Sequence, residues 1–201
     1  MGRNGALSRG IARICVFCGS SEGSRPAYRA CAHSLGRLLA ERKIELVYGG
    51  SNIGLMKALA DAALDGGGKV TGVIPEALAA RGLAHPGLTC LHTVESMHQR
   101  KALMAELSDA FIALPGGYGT LEELSEALSW AQLGLHGKPC GVLNVEGYYD
   151  FLIGLLDHWA REGFLPARGR ALLLLESDPE RLLETMLGAQ ADQALAAAHS
   201  G

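Results

Sequence analysis

Short apolar segments alternate with amphipathic segments about seven times along this chain, and this alternation limits the possible folds more than any other feature. Several apolar segments are continuous, such as Phe-Ile-Ala-Leu at 111–114 and Leu-Leu-Leu-Leu at 172–175. Continuous apolar strands are typical of parallel sheets that are covered on both faces. The sequence therefore predicts a Rossmann-like, doubly wound α/β fold with a mainly parallel sheet of about seven strands and helices on both faces.

The 201 residues, 48% of them hydrophobic, are enough for one domain with a substantial core. We predict a flexible leader at 1–10, a single Rossmann-like domain at 11–188 and a frayed, Ala/Gln-rich tail at 189–201. Residues 76–88 are predicted to be irregular because they contain Gly82, Pro86 and Gly87. Apolar spacing predicts the main helices over 26–42, 53–64, 95–107, 121–133, 148–161 and 179–187.

Charge and cysteine usage exclude several classes of protein. The formal net charge of −3 lacks the basic excess of nucleic-acid-binding proteins, and no apolar run approaches the ~20 residues of a membrane span. Five scattered cysteines argue against a disulfide framework. Cys15 and Cys18 form a C-x-x-C without a second pair at zinc-ligand spacing, so we interpret them as buried thiols on opposite faces of a strand. These features predict a cytoplasmic protein with no metal and with no nucleic-acid or membrane partner.

The segment Pro-Gly-Gly-Tyr-Gly-Thr-Leu-Glu-Glu at 115–123 carries the strongest functional signal. It follows a predicted strand and leads into a predicted helix, where free backbone N–H groups and the helix dipole favour anions. Its glycines allow the backbone to approach a phosphate closely. Glu123 lies one turn into the helix, where phosphate binding alone would not require a carboxylate. The segment therefore indicates a site that binds a phosphate and carries out chemistry beside it.

Two other glycine loops, at 19–21 and 49–54, also follow predicted strands. Ligands of doubly wound sheets bind beyond the carboxyl ends of the strands, so all three loops are predicted to share one rim. Glycines can also serve only to form tight turns, but three such loops on one rim favour a nucleotide-sized ligand. The dinucleotide motif G-x-G-x-x-G is missing after the first strand, and Gly68-Lys69 lacks the spacing of a P-loop.

Thr120 and Glu123 have a competing structural interpretation. The pattern T-x-x-E at a helix start is also a capping box, in which both side chains would only satisfy backbone N–H groups. Arg100 and Lys101 open the preceding helix and could reach the same rim, where they would bind phosphate or carboxylate. An Arg-Lys pair is also common on a solvated helix face, so both interpretations stay open.

Taken together, these motifs resemble the LOG family, the cytokinin-activating phosphoribohydrolases once mislabelled lysine decarboxylases. The resemblance covers roughly residues 11–176. It implies hydrolysis of the N-glycosidic bond of N6-prenylated adenosine 5′-monophosphates to free base and ribose 5-phosphate, without a metal or organic cofactor, in a homodimer. The matching segments are Cys-Gly-Ser-Ser at 18–21, Val-Tyr-Gly-Gly at 47–50, Gly-Leu-Met at 54–56, Met-His-Gln-Arg-Lys at 97–101, residues 115–123, Trp-Ala-Gln-Leu-Gly at 130–134, Gly-Val-Leu-Asn at 141–144 and Gly-Tyr-Tyr at 147–149.

The resemblance also implies the residues of the site. Arg100 and Glu123 would form the catalytic pair, with Glu123 stabilising an oxocarbenium-like ribose or activating water. Arg100 would either orient Glu123 or bind the phosphate. The residues assigned to substrate binding, from the resemblance and the glycine loops, are Gly19, Ser20, Gly50, Met97, Lys101, Gly117, Tyr118, Gly119, Thr120, Leu121, Glu122 and Ser129.

Two alternatives remain open beside this prediction. One is a general nucleosidase for AMP and related monophosphates without a hormone role. The other is a non-catalytic carrier of a nucleotide or cofactor in the same cleft, similar to the molybdenum-cofactor carrier proteins. The acid Glu123 favours an enzyme because a carrier does not need it. Gly82 stands where many LOG relatives have a substrate-contacting Glu, and Ser51 and Lys57 replace family glycines, so base specificity stays open.

Overall fold

The computed structural model describes the backbone of residues 10–199 and the side chains of residues 10–191. Apart from Gly10, the predicted leader lies outside the described residues, and the predicted domain boundaries stay predictions. Seven strands form a single parallel sheet in the order β4-β3-β2-β1-β5-β6-β7, which confirms the predicted fold class. The strands are β1 Arg13–Phe17, β2 Glu45–Tyr48, β3 Val70–Pro75, β4 Cys90–Val94, β5 Ala110–Ala113, β6 Cys140–Leu143 and β7 Leu173–Glu176.

Helices connect these strands and cover the sheet. Within residues 10–199, no helix is both long enough and apolar enough to cross a bilayer. A 3₁₀ turn, Val145–Gly147, follows β6. The α-helices are α1 Pro26–Glu41, α2 Gly54–Asp65, α3 Glu76–Ala79, α4 Met97–Leu107, α5 Tyr118–Gln132, α6 Asp150–Arg161, α7 Ala167–Arg170 and α8 Pro179–His199.

The sheet separates two apolar clusters, one on each face. Helices α1, α2 and α8 pack on one face around residues such as Ile14 and Leu59. Helices α4, α5 and α6 supply the other cluster, which contains Phe111. Cys15 and Cys18 lie in opposite clusters, and burial raises the pKa of both thiols, so they are buried protonated thiols as predicted.

The strand order reverses direction between β1 and β5. The chain builds β2, β3 and β4 outward on one side of β1, then returns to place β5 on the other side. Ligands of doubly wound sheets bind at such a reversal, beyond the carboxyl ends of the two neighbouring strands. Phe17 and Ala113, the last residues of β1 and β5, are paired in register. The loops that follow them therefore leave the sheet side by side.

Several predicted helix boundaries are wrong, for local reasons. Helix α4 starts at Met97 rather than residue 95 because the Ser96 hydroxyl accepts from the Gln99 N–H at 3.2 Å and caps the helix. Helix α6 starts at Asp150 rather than residue 148. Just before it, the Asn144 side chain accepts a hydrogen bond from the Tyr149 N–H at 2.7 Å. A short helix, Glu76–Ala79, lies in the segment predicted to be irregular.

The prediction for the end of the chain also differs from the structure. Helix α8 continues from Pro179 to His199, although we predicted that it ends at residue 187 before a frayed tail. The segment 189–199 contains six alanines and two glutamines, which have high helix propensity and no breaker among them. The helical backbone therefore extends past residue 187, the last position of the apolar spacing on which the prediction was based.

Candidate active site

Three glycine loops meet at the carboxyl end of the sheet, as predicted. The N–H of Gly19 donates to the Pro115 carbonyl at 3.0 Å, which joins the loops after β1 and β5. A Cβ atom at Gly54 would lie 2.3 Å from the carbonyl carbon of Ser20, so only glycine lets the loop after β2 pack there. The close approach of the loops therefore requires glycine at position 54. The same approach places Gly19 and Ser20 of the predicted site on the shared rim.

Arg100 and Glu123 form a buried ion pair behind this rim. Arg100 extends from the first turn of α4 and Glu123 from α5, and the two residues are 9% and 7% exposed. Nη2 of Arg100 lies 3.4 Å from Oε1 of Glu123. The guanidinium packs against Gly49, where a Cβ atom would lie 1.8 Å from Nη2. The structure therefore brings together the two predicted catalytic residues, 23 positions apart in the chain.

Burial sets the electrostatics of this pair. Desolvation raises the pKa of the Glu123 carboxyl, and the attraction of Arg100 opposes this shift only in part. Among the described residues, Nε of Arg100 and Oε1 of Glu123 make no hydrogen bond. Buried polar atoms without partners cost free energy and are rare in proteins, and perturbed carboxyls in clefts concentrate at functional sites. The pair therefore has the features of a catalytic centre.

The capping-box interpretation of Thr120 and Glu123 is wrong. Helix α5 begins at Tyr118, with Gly117 as its N-cap residue, so Thr120 lies inside the first turn. The buried Thr120 side chain packs against Gly116. Glu123 is the sixth residue of the helix, too far in to reach the cap, and its carboxylate lies beside Arg100 instead. No capping role competes with a functional role for Glu123.

Free backbone amides surround the start of α5. Among the described residues, the N–H groups of residues 116–120 donate to no acceptor. They stand at the positive end of a 15-residue helix, where the dipole and the amides together favour an anion. Gly117, Tyr118 and Gly119 are exposed, so a ligand can reach this segment from solvent. The backbone geometry at this helix start therefore suits an anion, and anion binding there stays a prediction.

Lys101 is paired with carboxylates rather than open to the rim. Its Nζ contacts the carboxylate of Glu122 and lies 2.5 Å from Oε2 of Glu126. The hydrogen bonds to Glu122 and then Glu126 raise the pKa of Lys101, so it stays charged. This geometry joins α4, which carries Arg100, to α5, which carries Glu123. A direct contact from Lys101 or Glu122 to substrate stays a prediction. Sequence reasoning missed Glu126, although its spacing of four residues from Glu122 places both on one helix face.

The other predicted residues divide into two groups. Met97 lies at the site, where its Sδ accepts from Nη1 of Arg100 at 3.6 Å, and Leu121 is exposed near the start of α5. The Gly50 carbonyl accepts from the His85 N–H at 2.9 Å. Ser129 borders a separate cavity of about 220 Å³ between α5, α6 and α7. Substrate binding by Ser129 and Gly50 stays a prediction.

Two tyrosines missing from the predicted site contact the glycine loop. Tyr149 Oη donates to the Leu114 carbonyl at 2.7 Å, and Tyr148 Oη donates to the Gly116 carbonyl at 2.5 Å. Both residues belong to the Gly-Tyr-Tyr segment at 147–149. Only that segment's family resemblance could have indicated them, because their partners lie about 30 residues earlier in the chain.

Gly82 lies in a backbone conformation that favours glycine. Its φ is +73°, a left-handed conformation that glycine adopts at little cost, and its carbonyl accepts from the Asn52 side chain at 3.1 Å. This hydrogen bond connects the segment before β4 to the loop after β2. Within residues 10–191, whose side chains are described, no three His, Cys, Asp or Glu side chains cluster as a metal site would require.

The fold and the site together define a Rossmann-like protein with a glycine-rich rim and a buried acid. Residues 56–186 match the sequence model of the family described as "Possible lysine decarboxylase". The chain is 51% identical over 174 residues to the rice "Probable cytokinin riboside 5'-monophosphate phosphoribohydrolase LOGL9", covering 87% of this chain and 77% of the relative. It is 50% identical to Arabidopsis thaliana LOG4, covering 87% of this chain and 81% of that protein. The chain belongs to this family, the LOG family.

Solved structures of other proteins share the fold. The molybdenum cofactor binding protein of Rippkaea orientalis aligns with a TM-score of 0.65 at 22% identity, covering 86% of this chain and 93% of that one. The molybdenum cofactor carrier protein of Chlamydomonas reinhardtii aligns with a TM-score of 0.62 at 20% identity, covering 92% of this chain and 98% of that one. At such low identity, these likenesses establish the architecture alone.

The substitution Gly49→Ala tests how Arg100 is held. The new methyl group would displace the flexible guanidinium from Glu123 rather than disrupt the backbone, because a Cβ atom at 49 would lie 1.8 Å from Nη2. We expect a melting temperature close to that of the wild type and a fall in kcat of about 10- to 100-fold, the scale of a misplaced catalytic group. Gly188→Ala, with nothing within 4 Å of its Cβ position, is the control. Wild-type turnover in Gly49→Ala would contradict this account.

Proposed function

We propose that this protein hydrolyses the N-glycosidic bond of adenosine 5′-monophosphates, with N6-prenylated forms as preferred substrates, and releases the free base and ribose 5-phosphate. The buried Arg100–Glu123 pair beside the free amides of α5 is the observation that carries the proposal. Membership of the LOG family supports it, since relatives about 50% identical are named as cytokinin riboside 5′-monophosphate phosphoribohydrolases.

The reaction follows from the charges at the site. The 5′-phosphate binds the amides at the start of α5, which positions the ribose against Glu123. As the bond from C1′ to the base breaks, the base leaves with the electron pair and the ribose becomes an oxocarbenium-like cation. The Glu123 carboxylate stabilises that cation and takes a proton from the water that adds to C1′. The departing base gains one proton from solvent and Glu123 releases one to solvent, so the carboxylate is regenerated and the step balances.

The placement of Arg100 favours an orienting role over phosphate binding. Its guanidinium is buried between Gly49 and Glu123, with Nη2 3.4 Å from the carboxylate. This cation opposes the protonation of Glu123 that burial promotes, and it limits where the carboxylate can lie. We propose that Arg100 keeps Glu123 ionised and aimed, while backbone amides bind the phosphate.

General hydrolysis of AMP, without preference for a prenyl group, is the second candidate within the enzyme class. The observation that favours it is Gly82, which stands where many LOG relatives have a substrate-contacting Glu. Its positive φ disfavours any larger side chain there. A carrier role is less well supported, because a carrier has no use for a buried acid beside its ligand.

We also propose that the enzyme works as a homodimer. Phe151, Leu155 and Trp159 recur every four residues along α6 and are 92%, 43% and 42% exposed. Leu133, at the end of α5, is 70% exposed. Such an apolar stripe is typical of a protein–protein interface, and a second copy of the chain is the partner that the family resemblance implies. Sedimentation velocity would show a dimer for the wild type and a monomer for Phe151→Asp combined with Trp159→Asp.

The cytoplasm is the compartment we propose. All five cysteines are free thiols, including the exposed Cys90. Burial raises the pKa of Cys31 and Cys140 to about 12, so these thiols are protonated and unreactive. Unpaired cysteines are typical of proteins in reducing compartments.

A product assay tests the proposed reaction. The protein would be incubated with AMP, isopentenyl-AMP and isopentenyl-adenosine, and free base would be measured by chromatography. We expect base from both monophosphates, faster from the prenylated one, and none from the riboside because it lacks the phosphate. Equal rates with both monophosphates would favour the general nucleosidase, and no base from either would exclude both enzyme proposals.

The substitution Glu123→Gln tests the acid. Glutamine preserves the size of the side chain but can neither accept the proton nor stabilise the cation as an anion. We expect turnover to fall at least ~10²-fold, the usual scale of a lost acid–base group, with a melting temperature near that of the wild type. Glu106→Gln, which removes an exposed carboxylate from α4, is the matched control. Normal turnover in Glu123→Gln would leave this carboxylate without a catalytic role.

The pH dependence of kcat/KM tests the electrostatics of the pair. Because burial raises the pKa of Glu123, activity should be lost on acidification at a pH above 4.5, the ordinary value for this carboxyl. Arg100→Gln removes the charge that lowers this pKa, so the midpoint should move to still higher pH, whereas Arg100→Lys should move it less. The profiles of residual activity would be compared in one buffer series. A midpoint that stays in place or moves down in Arg100→Gln would contradict the assignment.

A further inference from the structure

Three consecutive carbonyls, those of residues 114–116, each accept a hydrogen bond from a residue outside the glycine loop. The Leu114 carbonyl accepts from Tyr149 Oη at 2.7 Å, and the Pro115 carbonyl accepts from the Gly19 N–H at 3.0 Å. The Gly116 carbonyl accepts from Tyr148 Oη at 2.5 Å. The orientation of the three peptide planes that carry these carbonyls is therefore set by partners outside the loop.

The last of these bonds determines the direction of one amide. A trans peptide unit is planar, so its C=O and N–H point in opposite directions. The bond from Tyr148 to the Gly116 carbonyl therefore directs the Gly117 N–H away from Tyr148. Among the described residues, this carbonyl accepts no other hydrogen bond, and no atom lies within 4 Å of a Cβ position at Gly117. Without the phenol, little else would hold this peptide plane between two glycines.

Tyr148 is itself held rigidly enough for this role. Its ring packs edge-to-face on Tyr149 and on Tyr28, with centroids 5.1 and 5.4 Å apart. The Asn144 side chain accepts from the Tyr149 N–H and delays the start of α6 to Asp150. Tyr148 therefore lies outside the helix, and its side chain can reach back to the loop after β5.

We propose that Tyr148 is a positioning residue that presents the Gly117 amide to the 5′-phosphate of the substrate. The proposal rests on the proposed function, since it names how the phosphate end of that substrate is recognised. Glycine has more conformational freedom to lose than any other residue, so an amide already oriented before binding lowers the entropic cost of holding the phosphate. Tyr148 acts through the loop and makes no contact with the reacting bond.

The substitution Tyr148→Phe removes only the hydroxyl. The phosphate lies away from the bond that breaks. A less well oriented Gly117 amide should therefore weaken the binding of substrate and of transition state equally, which raises KM with little change in kcat. We expect KM for AMP to rise about threefold to tenfold, the effect of losing one neutral hydrogen bond. The dissociation constant of ribose 5-phosphate, measured by calorimetry, should rise by the same factor. That of free adenine should not change.

Tyr28→Phe is the matched control, because the Tyr28 hydroxyl has no hydrogen-bond partner among the described residues and the substitution keeps its ring. Unchanged KM and ribose 5-phosphate affinity in Tyr148→Phe would overturn the proposal. So would a fall in kcat alone, which indicates a structural role. If the wild type binds ribose 5-phosphate but releases no base, while Tyr148→Phe binds it more weakly, the proposed hydrolysis fails and the positioning role stands. If the wild type does not bind ribose 5-phosphate, the positioning role fails.

Discussion

The buried ion pair between Arg100 and Glu123 is the interaction on which the rest of the site depends. Removing two charges from water is costly, and a buried pair often contributes less stability than apolar residues of the same volume. Here the pair is also incompletely hydrogen-bonded within the described residues. Its presence is better explained by function, since burial raises the pKa of an acid that Arg100 helps to keep ionised. The surrounding structure then serves to hold two costly charges in one place.

Support for the pair comes from two directions. On the side of the helices, Lys101 bridges to Glu122 and Glu126 and joins α4 to α5, the two elements that carry the pair. On the side of the sheet, the reversal of strand order at β1 and β5 lets three loops pack together without side chains between them. The acid and the unpaired amides thus lie on one helix, and under the proposed function a substrate held by its phosphate is oriented relative to Glu123.

Much of this arrangement could be predicted from the sequence, and the errors have physical causes. The shared rim followed from three glycine loops after apolar strands, because strand ends of a parallel sheet meet at one edge. The capping box failed because T-x-x-E is the same pattern whether Thr120 begins the helix or lies inside it, and Gly117 took the cap position instead. The start of α4 was missed although Ser96 and Gln99 show the spacing of a capping pair.

The sequence by itself determined the class of fold, the burial of Cys15 and Cys18 and the place of the glycine turn before α5. Those depend on periodicity, on glycine and on the chemistry of a helix start, all of which act over a few residues. Only the tertiary structure decided that Gly49 rather than Gly50 borders Arg100, that Lys101 is occupied by carboxylates, and that Tyr148 holds the Gly116 carbonyl. These contacts join segments far apart in the chain, and strand order, which no local pattern encodes, sets which segments meet.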